Sequence, residues 1–215
     1  EETIKDTAIA QPLIVAAGIV TGRKVLQKLG ESKLILAGHS VGEITAAALA
    51  GVLTEEDAMR FVRVRATGMA AVLGGVEQDV RQAIDEAALV AANSNGAGQI
   101  VAAGPLEAIE AFAANPPARA RVIPLKVAGA FHTQAMAPAV EPLAAFAAEL
   151  TVNDPAYELL SNRDGERIST GREFVDSLVS QVTSPVRWDR CMSTLMAAEV
   201  DSIIEVAPAG TLVGL

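Results

Sequence analysis

The sequence predicts an α/β fold: a body built on a mainly parallel sheet, with a smaller βαββαβ unit inserted into it. Three observations predict it. Short apolar runs alternate with segments whose apolar residues recur at helical spacing. One such run leads into Gly38-His39-Ser40-Val41-Gly42, a G-x-S-x-G sequence set between a strand and a helix. A stretch from about Thr67 to Ala128 then repeats strands and helices on a smaller scale before the body resumes.

In chain order, Gln11 to Leu29 reads as a mostly apolar helix that tolerates Gly18 and Gly22. Lys33 to Ala37 (KLILA) is a short buried strand. Glu43 to Ala50 (EITAAALA) is a helix, with Gly51 placed to end it. Glu55 to Arg65 is a helix with Thr54 as N-cap and acids in its first turn. The inserted unit follows. Gly68 to Gly74 is a strand, Glu77 to Ala88 a helix and Leu89 to Asn93 a strand, with a turn over Ser94 to Gly98. Gln99 to Ala103 is a strand, Leu106 to Ala114 a helix broken by Pro116-Pro117, and Arg121 to Val127 a strand. This order is that of a ferredoxin-like split unit. The body resumes with a long Ala-rich helix over Gln134 to Leu150. A strand over Tyr157 to Leu160, a turn at Arg163-Asp164-Gly165 and a helix over Arg172 to Val182 come next, followed by a helical segment around Cys191. A buried strand is expected at Ser202 to Val206 (SIIEV). The expected domains are residues 1–66 with 129–215 for the body and 67–128 for the small unit.

Strand, tight turn and helix push a serine into a strained position with its hydroxyl exposed, beside the partial positive charge of a helix N-terminus. The expectation is that Gly38 and Gly42 both let strand and helix pack closely around that turn. Ser40 needs a base, and the chain has two histidines. His39 sits inside the turn, where its side chain points away from Ser40, so it is expected to pack or hydrogen-bond beside the site. His132, at the end of an apolar run, is left as the base. In α/β-hydrolases the triad histidine comes late, after the acid. Here it falls mid-chain, directly after the inserted unit, which places the site in the cleft between a hydrolase-like body and that unit.

Composition excludes several classes. With 215 residues, 51% of them hydrophobic, the chain can bury a sizeable core. A net charge of −9 and 3% aromatic residues argue against nucleic-acid binding. No apolar stretch runs uncharged for the ~18–20 residues of a membrane span, and a cytoplasmic protein is expected. One cysteine, Cys191, allows no internal disulfide and reads as a small core residue. Two histidines without an H-E-x-x-H pattern make a catalytic zinc improbable, and no metal or cofactor is expected.

With these pieces in place, the chain resembles the malonyl-CoA:acyl carrier protein transacylases of fatty acid synthesis and the related acyltransferase domains of polyketide synthases. The motifs that carry the resemblance span nearly the whole chain. They are AGHSVGE (Ala37–Glu43), NSNGAGQIVAAG (Asn93–Gly104), GAFHT (Gly129–Thr133), LLSNRDG (Leu159–Gly165) and SPVRW (Ser184–Trp188). The resemblance implies a stand-alone bacterial enzyme with malonyl-CoA and acyl carrier protein as partners. It implies a ping-pong reaction through a malonyl ester of Ser40, with His132 as base and the Val41 backbone N–H helping to hold the oxyanion. Gln181 corresponds to the residue that orients the histidine. Arg65 corresponds to the arginine that clamps the free malonyl carboxylate, a task suited to a planar guanidinium. From the residues alone, Arg65 could equally be solvated beside Arg60 and Arg63. Phe131 corresponds to the malonyl-selective form of its motif, and Asn95 lies near the acyl entrance, unless it only serves a turn.

The resemblance also implies an N-terminal strand and a G-Q-G-x-Q loop supplying a second oxyanion donor, and more helix after the arginine. This sequence has neither, and it is expected to be part of a longer chain. Since the carrier protein is typically acidic, a local basic patch is expected at the cleft, from Arg119, Arg121, Lys126, Arg187 and Arg190. Two other readings stand beside this one. The chain could be a serine thioesterase or acyltransferase for another acyl group, or a non-catalytic fragment of the same fold.

Overall fold

The structure is a computed structural model; it describes residues 7–30, 32–65, 67–96, 99–125, 131–210 and 212. The chain opens with α1 (Thr7–Leu29), whose buried Val15 and Ile19 face the core. By length and composition its segment Ile9–Leu29 is apolar enough to cross a membrane. Here it packs against two helices of the body, α2 (Gly42–Leu49) and α3 (Glu55–Arg65). Its glycines permit that approach: a Cβ on Gly18 would stand 2.8 Å from Thr45 Cγ2, and one on Gly22 2.4 Å from Leu49 Cδ1.

The two-residue strand β1 (Ile35–Leu36) precedes α2. Helix α2 is built almost wholly of small and apolar residues and is buried along Glu43 to Ala48. Its end is marked by Gly51 at φ +78°. Helix α3 starts at Thr54, whose Oγ1 accepts the Asp57 N–H at 3.0 Å. Acids at Glu55, Glu56 and Asp57 suit the positive end of the helix dipole. Its buried face is Ala58, Phe61, Val62 and Arg65, one stripe at helical spacing that ends in a cation.

The chain then builds a separate layer from β2 (Thr67–Gly74), α4 (Glu77–Glu86), β3 (Val90–Gly96), β4 (Gln99–Pro105), α5 (Leu106–Ala114) and β5 (Ala120–Leu125). Its four strands lie in the order β3-β4-β2-β5, every neighbouring pair antiparallel. Alternate residues Ala70 and Val72 of β2 and Ile100 and Ala102 of β4 face inward. They meet Val80 and Ile84 of α4 and Ile109 and Phe112 of α5, spaced four and three apart. The turn expected over Ser94 to Gly98 is not formed as read: β3 pairs with β4 as far as Gly96, through irregular register, and residues 97–98 lie outside the described residues. Residues 126–127 of the expected last strand also lie outside them.

The body resumes with a 3₁₀ turn (Gln134–Met136), α6 (Ala137–Glu149), β6 (Glu158–Leu160), β7 (Arg167–Ile168), α7 (Gly171–Gln181) and α8 (Trp188–Ala197). Three expectations need correction. The single helix over Gln134 to Leu150 is divided. Pro138 has no N–H to donate to the Gln134 carbonyl, so the α-helix begins at Ala137, after a separate tight turn, and carries Pro142 inside it. The body sheet, in order β1-β6-β7, holds one parallel pair and one antiparallel pair instead of being mainly parallel. Strands β6 and β7 are joined by a short turn through Gly165 at φ +75°, and so short a connection can only join antiparallel strands. Finally, Ser202 to Val206 is neither strand nor buried; Ile203 and Ile204 are 59% and 54% exposed. An apolar run becomes a strand only where a neighbour takes its backbone groups, and among the described residues none pairs with this one.

Candidate active site

Between β1 and α2 the backbone turns sharply, and Ser40 sits at its apex with φ +54°. A non-glycine residue there costs about 1–3 kcal/mol, which its surroundings must offset. Asn162, fully buried in the β6–β7 turn, does this. Its Oδ1 accepts the Ser40 N–H at 2.7 Å, and its Nδ2 donates to the Gly38 carbonyl at 2.7 Å. Its own N–H donates to Glu43 Oε1 at 2.6 Å, and its carbonyl accepts the Arg187 N–H at 2.8 Å. The two glycines of the turn are not equivalent, contrary to expectation. A Cβ on Gly38 would stand 2.1 to 2.3 Å from Gly42 C and O and Glu43 N, whereas one on Gly42 would meet nothing within 4 Å. Strand and helix close upon Gly38, while Gly42 faces outward.

His132 approaches from the other side, itself at φ +66° and fixed by its N–H to the Val182 carbonyl at 2.8 Å. Its Nδ1 is 3.0 Å from the Gln181 carbonyl and 3.2 Å from the Ser184 carbonyl. Carbonyls only accept, so Nδ1 carries the proton and Nε2 presents a lone pair. Ser40 Oγ donates to that Nε2 at 2.6 Å. Burial first, and then the Arg65 charge, lower the His132 pKa from 6.5, so the imidazole is neutral and able to accept a proton. His39 faces elsewhere, packing edge-on against Trp188 with ring centroids 5.7 Å apart; burial lowers its pKa too.

Arg65, at the end of α3, is 1% exposed. Its Nη2 donates to Ser40 Oγ at 3.2 Å and to Gln181 Oε1 at 3.0 Å, and its Nη1 donates to Gln11 Oε1. The guanidinium lies 4.5 Å from the centre of the Phe131 ring, and its Nε is buried without a partner. Burial lowers its pKa to about 10, which leaves it charged at neutral pH. Arg60 instead lies over Phe146 and beside Asp57, and Arg63 is exposed. Gln181 meets His132 through its main-chain carbonyl. Its side chain serves Arg65 and, through Nε2, the Ser40 carbonyl at 3.1 Å and Glu43 Oε2. Val41, the N-cap of α2, sets its backbone at the positive end of that helix. Asn95 lies in β3; its side chain is outside the described set.

Gln11, Glu43 and Asn162 are the polar residues of this cluster that the sequence reading did not single out. Glu43 and Asn162 lie within the motifs AGHSVGE and LLSNRDG, and a lone acid among the alanines of α2 was a usable signal. Gln11 carried none. The stripe Ala58, Phe61, Val62, Arg65 would have separated Arg65 from its solvated neighbours. Cys191 is buried in α8 and donates to the Ser161 carbonyl at 3.4 Å.

The residues expected to form a basic patch are spread over the molecule. Antiparallel pairing sets Arg121 opposite Leu73, ~20 Å of strand from the Thr67 end of β2 that follows Arg65. Arg119 and Arg121 therefore stand at the far end of that sheet. Arg187 is paired with Asp189 through bonds of 2.9 and 2.6 Å. Arg190 is exposed on α8, and Lys126 lies outside the described residues.

The cluster thus holds a hydroxyl with a neutral base on one side and a buried cation on the other, an arrangement suited to acyl transfer from an anionic acyl group. Comparisons with known proteins agree. Residues 1–214 match the acyl transferase domain family. Malonyl CoA-acyl carrier protein transacylase of Mycobacterium tuberculosis is 49% identical over all of this chain and 75% of its own length. The crystal structure of MCAT from the same organism matches with TM-score 0.69 and 50% identity, covering 99% of this chain and 75% of that one. A malonyl-transacylase in complex with a type II PKS acyl-carrier protein matches with TM-score 0.68 and 28% identity, over 100% of this chain and 75% of that one. The chain belongs to the acyl transferase domain family, among its malonyl CoA-acyl carrier protein transacylases.

Proposed function

We propose that this chain moves a malonyl group from malonyl-CoA to the phosphopantetheine thiol of an acyl carrier protein, in two half-reactions joined by a malonyl ester of Ser40. The observation that carries this reading is that His132 Nε2 and Arg65 Nη2 both contact Ser40 Oγ, at 2.6 and 3.2 Å. A base and a carboxylate-binding group therefore serve one nucleophile.

In the first half-reaction His132 Nε2 takes the Ser40 proton as Oγ attacks the thioester carbonyl. The Gln181 and Ser184 carbonyls hold the Nδ1 proton in place throughout. The Val41 N–H, at the N-terminus of α2, stabilises the oxyanion. Collapse of the tetrahedral adduct breaks the C–S bond, and the proton on His132 goes to the departing CoA sulfur. In the second half-reaction His132 takes the proton of the carrier thiol as its sulfur attacks the ester carbonyl; collapse breaks the Oγ–C bond, and the proton on His132 goes to Ser40 Oγ. Arg65 binds the free malonyl carboxylate. Phe131 fixes the guanidinium from its face and limits the room for a branched acyl group; His39 is exposed beside the turn and takes part in substrate binding, as does Asn95 by the family resemblance. In this reading residues 67–128 form a ferredoxin-like small domain inserted into an α/β-hydrolase-like body of residues 1–66 and 129–215. The order β3-β4-β2-β5 and the strand-turn-helix at Ser40 support it. A cytoplasmic location belongs to the same reading, supported by the packing of α1 into the body.

Intact-mass measurement after mixing with malonyl-CoA tests it. The expected result is one malonyl adduct, absent in Ser40→Ala, stable in buffer and discharged by holo carrier protein. Discharge by water at the same rate as by carrier protein would make the chain a thioesterase and overturn the proposal.

A further inference from the structure

Gln181 carries an amide whose two ends have nearly the same shape but opposite hydrogen-bonding character. Its orientation decides what Arg65 meets. Its Nε2 faces the Ser40 carbonyl and Glu43 Oε2, and its Oε1 faces Arg65 Nη2. Glu43 is 1% exposed, and its two carboxylate oxygens are divided between two donors: Oε1 takes the Asn162 N–H at 2.6 Å and Oε2 takes Gln181 Nε2. One carboxylate therefore ties together α2 behind the nucleophile, the turn that braces Ser40, and α7, whose last residue supplies a carbonyl to His132.

We propose that Glu43 is a positioning residue for the transfer reaction. As a carboxylate it holds the Gln181 amide with its oxygen toward Arg65, and so keeps the Arg65 guanidinium aimed at Ser40. This rests on the function proposed above and adds a residue to it. The argument is one of donors and acceptors. If Glu43 gains a proton, one of its oxygens becomes a donor, yet both already face donors. The Asn162 N–H is main chain and cannot turn away. The Gln181 amide can, giving up its bond to the Ser40 carbonyl, and in turning it presents Nε2 to Arg65, whose guanidinium has only donors. Arg65 Nη2 then loses the Gln181 acceptor and meets a donor instead, which displaces the guanidinium from Ser40 while Nη1 keeps Gln11.

The charged and titratable groups around Glu43 define when this occurs. Burial raises its pKa to about 7, against hydrogen bonds from Asn162 and Gln181; Arg65 on α3 lowers it, and Asp164 in the β6–β7 turn raises it. Cys191 on α8 is a neutral thiol, its pKa raised to about 11 by burial. Loading should then fall on acidification near pH 7, above the limb set by His132, whose pKa lies below 6.5.

The test is the single-turnover rate of Ser40 malonylation from pH 5 to 9 in wild type, Glu43→Gln and Glu43→Asp, with acetyl-CoA run in parallel. Glu43→Gln cannot ionise and places a donor in the same space. It is expected to lower malonyl loading at pH 8 by about 10- to 100-fold, the scale of a displaced positioning contact. It should also remove the acid limb near pH 7 and reduce the preference for malonyl over acetyl. Glu43→Asp keeps the charge and should move the limb without abolishing it; that shift carries the test if Glu43→Gln does not fold. A variant that loses rate while limb and malonyl preference stay unchanged makes Glu43 merely structural and overturns the inference. A wild type that loads, beside a Glu43→Gln that loads equally, overturns it alone. A wild type that takes no malonyl group overturns the proposed function, and the inference with it.

Discussion

The region around Ser40 and the four-stranded sheet with its two helices, called the unit below, bury opposite kinds of chemistry. In the unit, the described buried side chains are apolar: alanine, valine, isoleucine, leucine and phenylalanine between one sheet and two helices. In the body, Gln11, Glu43, Arg65, Asn162 and Gln181 are buried together at the end of the hydrophobic core. A buried apolar contact contributes wherever volumes fit. A buried polar group costs free energy until every partner is in place, so a cluster of five is either assembled or destabilising. Substitutions in the unit thus act on stability, whereas single substitutions in the polar cluster can break an arrangement of chemistry.

Four experiments break or sharpen this contrast. Phe112→Ala, in the core of the unit, should cost about 3–5 kcal/mol of stability, read by denaturant unfolding. Ser40 loading of the folded protein should stay within a few-fold of wild type; an equal fall in both would mean that the two regions act as one. Arg65→Ala should lower malonyl loading by about 10²- to 10³-fold, or about 3–4 kcal/mol, and spare acetyl loading. If both acyl groups suffer alike, the carboxylate contact is not the reason for the buried cation. The third concerns pH. The folded Glu43 has a raised pKa of about 7 against an ordinary 4.5. Between those values the folded chain holds a proton that the unfolded chain has released. The contribution of Glu43 to stability is therefore fully present below pH 4.5 and is lost as pH rises through 7. Melting of Glu43→Gln should gain on wild type from pH 5 to 8; parallel curves would refute this. The smallest effect is at Gly42. Alanine there meets open space and favours the helix, so Gly42→Ala should add about 0.5–1 kcal/mol, while Gly38→Ala should dismantle the turn.

The contrast also explains what could be read from the sequence. The strands and helices of the four-stranded sheet were legible because alternation in β2 and β4 and helical spacing in α4 and α5 are local signals. Helices α3 and α5 came out at the residues expected. Ser40 and His132 were legible because G-x-S-x-G is local and the chain offers only two histidines. The Asn162 brace was not. It joins residues more than a hundred positions apart, and an asparagine before Arg163-Asp164-Gly165 looks like any turn residue. Nor could the length of the apolar run at 202–206 reveal that no partner strand stands beside it. Strand pairing is a property of the neighbour, and the short β1-β6-β7 sheet illustrates the same limit.

One further consequence follows from the company Arg65 keeps. Its hydrogen-bond partners Gln11, Ser40 and Gln181 are all neutral, and its charge weakens the nearby imidazole as a base. His132 in turn rests on two neutral carbonyls, where a triad histidine rests on an anion. Among the described residues no anion is in contact with either group. In the proposed reaction an acyl chain ending in a carboxylate would supply one: bound to Arg65, it would offset the charge that lowers the His132 pKa and so strengthen the base. An acyl group without that charge leaves the base as weak as it was. In that proposal recognition and activation reside in one ion, and the substrate completes the electrostatics of its own catalyst.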